Sequence, residues 1–188
     1  MTARELLPEA CSAIRHVVSA AADVAPQTPS PSHGDVQGLT RHFVGTTGAF
    51  VRAGSGALDR SDPWGSNVTV TDWAAELSAN LEAIPSAWAH ADSWAGTVAT
   101  GSGEMPAQAI GEMALIEIVL HGWDLARATG QQLEVSDALA AEVLRAVSET
   151  AEQGRQFEAY GTEVEIAADA SDLDRALGLS GRDPAWTP

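Results

Sequence analysis

The stretch PAQAIGEMALIEIVLHGWDLARATG (106–130) reads as one long helix. Pro106 suits a first turn, where a missing amide hydrogen costs nothing, and Gly130 supplies the C-terminal stop. Between them Met113, Ile116 and Leu120 recur at helical spacing and define an apolar side.

Working outward, the same periodicity recurs on both flanks. Leu7, Ala10, Ile14, Val17 and Ala21 give a first helix one apolar face, opposite Ser12, His16, Ser19 and Asp23. That pattern stops at Pro26, and PQTPSPSHG (26–34) is a proline-rich connection that excludes helix. Asp35 then caps a second helix with Val36, Leu39, Phe43, Thr46 and Phe50 inward, fading at Gly54 and Gly56. Residues 55–70, with Pro63, read as loop. Thr71 or Asp72 caps a third helix carrying Trp73, Leu77, Leu81, Ile84 and Trp88, which Pro85 should kink or end early. A Gly- and Ser-rich loop is expected over roughly 92–104. Downstream of 130, Ser136 caps a fifth helix with Leu139, Val143, Leu144 and Val147 as its core side, and a last helical turn is expected around Leu173–Leu179.

Strand signals are weak, since Val68–Val70 and Glu163–Ile166 are too short to build a sheet. Four long helices with further helical segments towards the C-terminus predict an all-α four-helix bundle, in one domain over residues 1–188. A chain of this length buries about 70% of its unfolded surface, so it needs no disulfide staples. Ten Lys and Arg against 26 Asp and Glu give a net charge of -16, which disfavours nucleic acid and anionic lipid as partners. No stretch approaches about 18 uninterrupted apolar residues and no signal-peptide pattern opens the chain, so a soluble, cytoplasmic protein is expected. The single cysteine, Cys11, excludes an intrachain disulfide and a cysteine-rich zinc site.

One pair of residues conflicts with a simple apolar helix. Glu117 and His121 lie four positions apart, one above the other on a helix face, inside the apolar stretch ALIEIVLHGW. A carboxylate there costs on the order of several kcal/mol unless it is paired or bound to a cation. A carboxylate oxygen and an imidazole nitrogen at this spacing can converge on one metal ion, but a catalytic zinc usually takes three protein ligands. His42, between Leu39 and Phe43 at the edge of the second helix's apolar face, is the best third ligand. The bland alternative is a buried ion pair or a solvated helix edge.

EIVLHGWDLARATG (117–130) resembles the signature of the DinB-like four-helix-bundle proteins, in the actinobacterial branch related to mycothiol-dependent maleylpyruvate isomerase. GDVQGLTRHFVG (34–45) is similar to that branch's second-helix segment, GEMPAQAIGEM (103–113) to its fourth-helix entry, and LDRALGLSGRDPAW (173–186) to its C-terminal ending. The resemblance implies a divalent metal, commonly zinc or nickel, held by two histidines and an acidic residue; these correspond to His42, Glu117 and His121. It also implies a low-molecular-weight thiol such as mycothiol as cosubstrate. Where the family usually has an aromatic residue just before the second helix, this chain has Gly34, and it is too short to hold the isomerase's second domain.

The expected function is therefore a metal-dependent thiol transferase acting on a small electrophile. A metal-binding helical module or small-molecule binder without turnover is the alternative, and metal-assisted hydrolysis a weaker third reading. Asp124 either orients His121 from behind, or else pairs with Arg127 or caps a neighbouring segment. His16 reads as solvated, His33 as a surface-loop residue with approach to a metal from the proline loop as the alternative, His90 as a helix-end residue near Asp92, and Cys11 as core. The GSG and GTTG stretches lack the lysine and strand context of phosphate loops, and AGSGA (53–57) is no nucleophile elbow. Dimerisation through a helix face is compatible with such a bundle.

Overall fold

Four of the helices start where a capping side chain satisfies a free amide of the first turn. Asp35 accepts from the Gly38 amide at 2.8 Å, Asp72 from Ala75 at 3.0 Å, Ser136 from Leu139 at 3.2 Å and Ser171 from Asp174 at 3.1 Å. The computed structural model describes residues 1–61, 68–101 and 103–188. Among them are six α-helices: α1 (Ala3–Ala21), α2 (Val36–Gly54), α3 (Trp73–Ala87), α4 (Ala107–Ala128), α5 (Asp137–Gln156) and α6 (Asp172–Leu179). Part of the connection expected over 55–70, including Pro63, lies outside the described residues, as does residue 102 of the GSG stretch. No helix among the described residues is long and apolar enough to cross a membrane.

The first four helices form the bundle. α1 packs against α3 and α4, and α2 packs against the same two, so α1 and α2 stand diagonally across the core. The apolar faces read from the sequence point inward: Leu7, Ile14 and Val17 of α1, Leu39, Phe43 and Phe50 of α2, Leu77, Leu81 and Ile84 of α3, and Ile116 and Leu120 of α4 are all buried. α3 ends two residues beyond Pro85, and buried Trp88 follows it, its indole N–H donating to the Phe50 carbonyl at 2.9 Å. α5 and α6 pack chiefly on each other, with α5 also touching α4 and α1. The C-terminal addition is therefore a helix pair, and its first member is as long as those of the bundle.

One expectation fails. Residues 92–104 are not all loop: a 3-10 turn (Ala91–Trp94) leads to strand β1 (Thr97–Thr100), which pairs antiparallel with β2 (Gly103–Pro106), Thr97 opposite Pro106 and Thr100 opposite Gly103. Four-residue strands containing Gly are too short to show alternation against a Gly- and Ser-rich background. β2 runs directly into α4, where the Ala107 amide donates to the Gly96 carbonyl at 3.0 Å, so the hairpin fixes where the long helix starts.

Candidate metal centre

The packing of α2 on α4 brings His42 opposite Glu117 and His121. His42 Nε2 lies 3.3 Å from Glu117 Oε2, and His121 Nε2 lies 3.2 Å from the same oxygen. The two imidazole rings meet edge to face, with centroids 4.8 Å apart. A tetrahedral ion with bonds of about 2.0–2.1 Å spaces its donors about 3.3–3.4 Å apart. The three residues singled out in the sequence thus stand at that separation across Glu117.

A further imidazole joins them. His33, expected on the surface, stacks on His42 with centroids 4.2 Å apart and planes 23° from parallel, and its ring lies 5.2 Å from that of His121. Ligand atoms of His33, His42 and His121 all lie within 4.8 Å of one another, so these three histidines can hold one metal ion. Exposure falls steadily across them: His33 is exposed, His42 half-buried and His121 buried.

The proline loop makes this placement possible. His33 (φ 57°) and Gly34 (φ 81°) are consecutive left-handed residues, a bend that glycine takes at little cost and that an aromatic residue at position 34 would strain. The Asp35 amide donates to the His33 carbonyl at 3.0 Å and the Ser30 amide to the Gly34 carbonyl at 3.2 Å, while Pro29 and Asp35 form an isolated bridge. The chain therefore doubles back over the first turn of α2 before entering it.

Behind His121 lies a buried polar system. His121 Nδ1 is 2.9 Å from Asp124 Oδ2, which fixes a proton on Nδ1 and turns Nε2 towards Glu117. Asp124 is fully buried and receives Arg182 in a two-pronged pair, Nε to Oδ1 at 2.9 Å and Nη2 to Oδ2 at 2.8 Å. Ser32 Oγ donates to the same Oδ2 at 2.6 Å, so the loop residue beside His33 is tied to the carboxylate that orients His121. Of the roles open to Asp124, orienting His121 is the one observed. Its cationic partner is Arg182, whereas Arg127 reaches the Trp186 carbonyl at 3.1 Å.

Arg182 had no helical periodicity to reveal it. Its approach depends on Gly181 (φ 86°), which packs so closely on Gly161 that a β-carbon there would lie 2.6 Å from the Gly161 Cα. The Ser180 hydroxyl accepts from Arg182 Nη1 at 3.1 Å and completes the seat.

The charges interlock. Burial alone would lower the pKa of His121, but the Glu117 and Asp124 carboxylates outweigh it and raise the value to about 9. Burial opposes ionisation of Glu117 and of Asp124, yet the adjoining His121, His42 and Arg182 hold both carboxyls well below the usual range. His33 moves the other way, to about 4: desolvation of its stacked ring comes first, and repulsion from His121 and His42 adds to it. The cluster therefore holds its proton on the innermost histidine, between two carboxylates, where a cation can take its place.

The other conspicuous residues behave as the sequence suggested. His16 and His90 are exposed, and Cys11 is buried with its thiol pushed up to about 12, a value that keeps it protonated and inert. Trp88 and Trp123 are buried, Trp73, Trp94 and Trp186 half-buried, and Trp64 lies outside the described residues. Compared with protein-family models, with curated protein sequences and with solved structures, the chain matches none.

Proposed function

We propose that the chain is a divalent-metal protein whose ion is held by His42, Glu117 and His121, and that it acts as a thiol transferase of the mycothiol-dependent type. The observation that carries the metal reading is one carboxylate oxygen, Glu117 Oε2, set 3.2 and 3.3 Å from two imidazole nitrogens on different helices. Nitrogen and oxygen donors suit zinc or nickel. The resemblance of residues 117–130 to the DinB-like signature supports the same ligand set and supplies the thiol.

Bound there, the cation supplies a Lewis acid that lowers the pKa of a thiol brought to it. The chain's own residues do the rest. Asp124 holds the His121 tautomer and ring plane, Arg182 offsets the Asp124 charge, and α2 and α4 set the spacing of the donors. The fitting substrates are a low-molecular-weight thiol and a small electrophile that accepts its sulfur.

A second reading, a metal-binding module without turnover, is favoured by His33, whose additional nitrogen can fill the position that a substrate needs. Elemental analysis of the purified chain beside His121→Ala tests the metal reading: about one divalent ion per chain, lost in the variant, is expected. Equal metal content in both removes His121 from the ligand set. Glu117→Gln should weaken metal binding and leave the helical circular dichroism intact, because an amide is a poorer ligand but cheaper to bury. Thiol-dependent conjugation of an electrophile by the metal-loaded chain then separates transferase from module.

A further inference from the structure

We infer that His33 is a fourth and exchangeable ligand of this metal, so that the resting site is closed by the chain's own loop and opens only when that loop withdraws. The inference rests on the metal reading given above and adds to it a residue, and a coordination state, that the spacing of α2 and α4 alone does not supply.

Donor count is the first ground. Three imidazoles have ligand atoms within 4.8 Å of one another, and a carboxylate oxygen lies 3.2–3.3 Å from two of them, so four protein donors are at hand, the number that fills a tetrahedral ion. Loop construction is the second. A non-glycine residue in the left-handed region costs about 1 kcal/mol or more, so the position of His33 needs an offsetting contact. Its neighbour Ser32 is bonded to Asp124, the carboxylate that aims His121, so the segment carrying the outermost ligand is fastened to the support of the innermost.

Accessibility is the third ground. With four donors on a tetrahedral ion, a second molecule reaches the metal by displacing one of them. Of the four, His33 is the most exposed and the only one on a loop rather than a helix. It is held by the Ser32 tether, by its carbonyl's bond to the Asp35 amide and by a stacked ring, with no helix of its own behind it, so it is the ligand that leaves at the lowest cost.

Cobalt(II) alone, titrated into the metal-free full-length chain, tests this by absorption. Wild type should bind one ion and show the intense visible bands of four-coordinate cobalt. His33→Ala, an exposed-loop change that should leave the circular dichroism unaltered, should bind at least about tenfold more weakly and lose intensity as solvent enters. Free imidazole should restore the bands in that variant. 2-Mercaptoethanol should give a sulfur-to-cobalt charge-transfer band at lower concentration in the variant than in wild type. Identical spectra and affinities for wild type and His33→Ala overturn the fourth ligand and leave the three-ligand site standing. Cobalt bands that persist unchanged in His42→Ala and His121→Ala, or no binding by wild type, overturn the metal reading itself.

Discussion

Asp124 shows how much of this site lies behind its ligands. Its two oxygens serve Arg182, His121 and Ser32 with no exposure to solvent, so Asp124→Asn removes the charge that balances a buried guanidinium. Breaking such a pair typically costs about 3–5 kcal/mol. The variant should unfold at correspondingly lower urea concentration, and where still folded should bind metal about 10–100-fold more weakly, because His121 loses its orienting partner. A pH dependence belongs to the same residues. In the metal-free chain the pKa of His121 is raised on folding, so its stabilisation is complete below about pH 6.5 and declines as pH rises through about 9. Urea midpoints of the metal-free chain should therefore fall between neutral pH and pH 9–10, and His121→Gln should flatten that part of the profile. Glu117 and His121 were legible in the sequence because an ionisable pair one turn apart in an apolar helix conflicts with burial. His42 was legible because it borders a periodic face. The sequence left His33 open between a surface residue and an approach to a metal, because no periodic element fixes its position. Arg182 was not legible, since it meets Asp124 across 58 positions of chain.

Among the elements, α2 carries the densest information. Its N-cap Asp35 both satisfies the Gly38 amide and ends the bend that places His33, so local helix chemistry and site assembly share one residue. Asp35→Ala should lower stability by about 1 kcal/mol. It should also accelerate hydrogen exchange at the Val36 and Gln37 amides, which bond back to the Thr28 and Pro26 carbonyls. The helices themselves were readable because apolar spacing, caps and proline stops agree along each one. The hairpin before α4 was not, since two four-residue strands are too short to show alternation.

At the scale of the molecule, the proposed metal would be linked to the fold by mass action. A ligand at about 100 times its Kd adds about 2.7 kcal/mol of stability, and about 1 kcal/mol moves the Tm of a chain this size by about 2–4 °C. Adding a chelator to the metal-loaded chain should lower Tm by about 5–10 °C, with no such effect in His121→Ala, as scanning calorimetry would show. The bundle was foreseeable from four amphipathic patterns. The route by which the C-terminal segment returns to the core was not, because it depends on Gly181 lying against Gly161, a contact between two turns without patterned sequence.

The Arg182–Asp124 pair sets an order of events during synthesis. His42, Glu117 and His121 all leave the ribosome well before residue 182, so a nascent chain can have its ligands and even its bundle while Asp124 is still without its cationic partner. At that stage His121 leans on a carboxylate whose charge is not yet balanced. Only when the arginine arrives does Asp124 gain the cation that offsets its buried charge, so this part of the core is among the last to be completed.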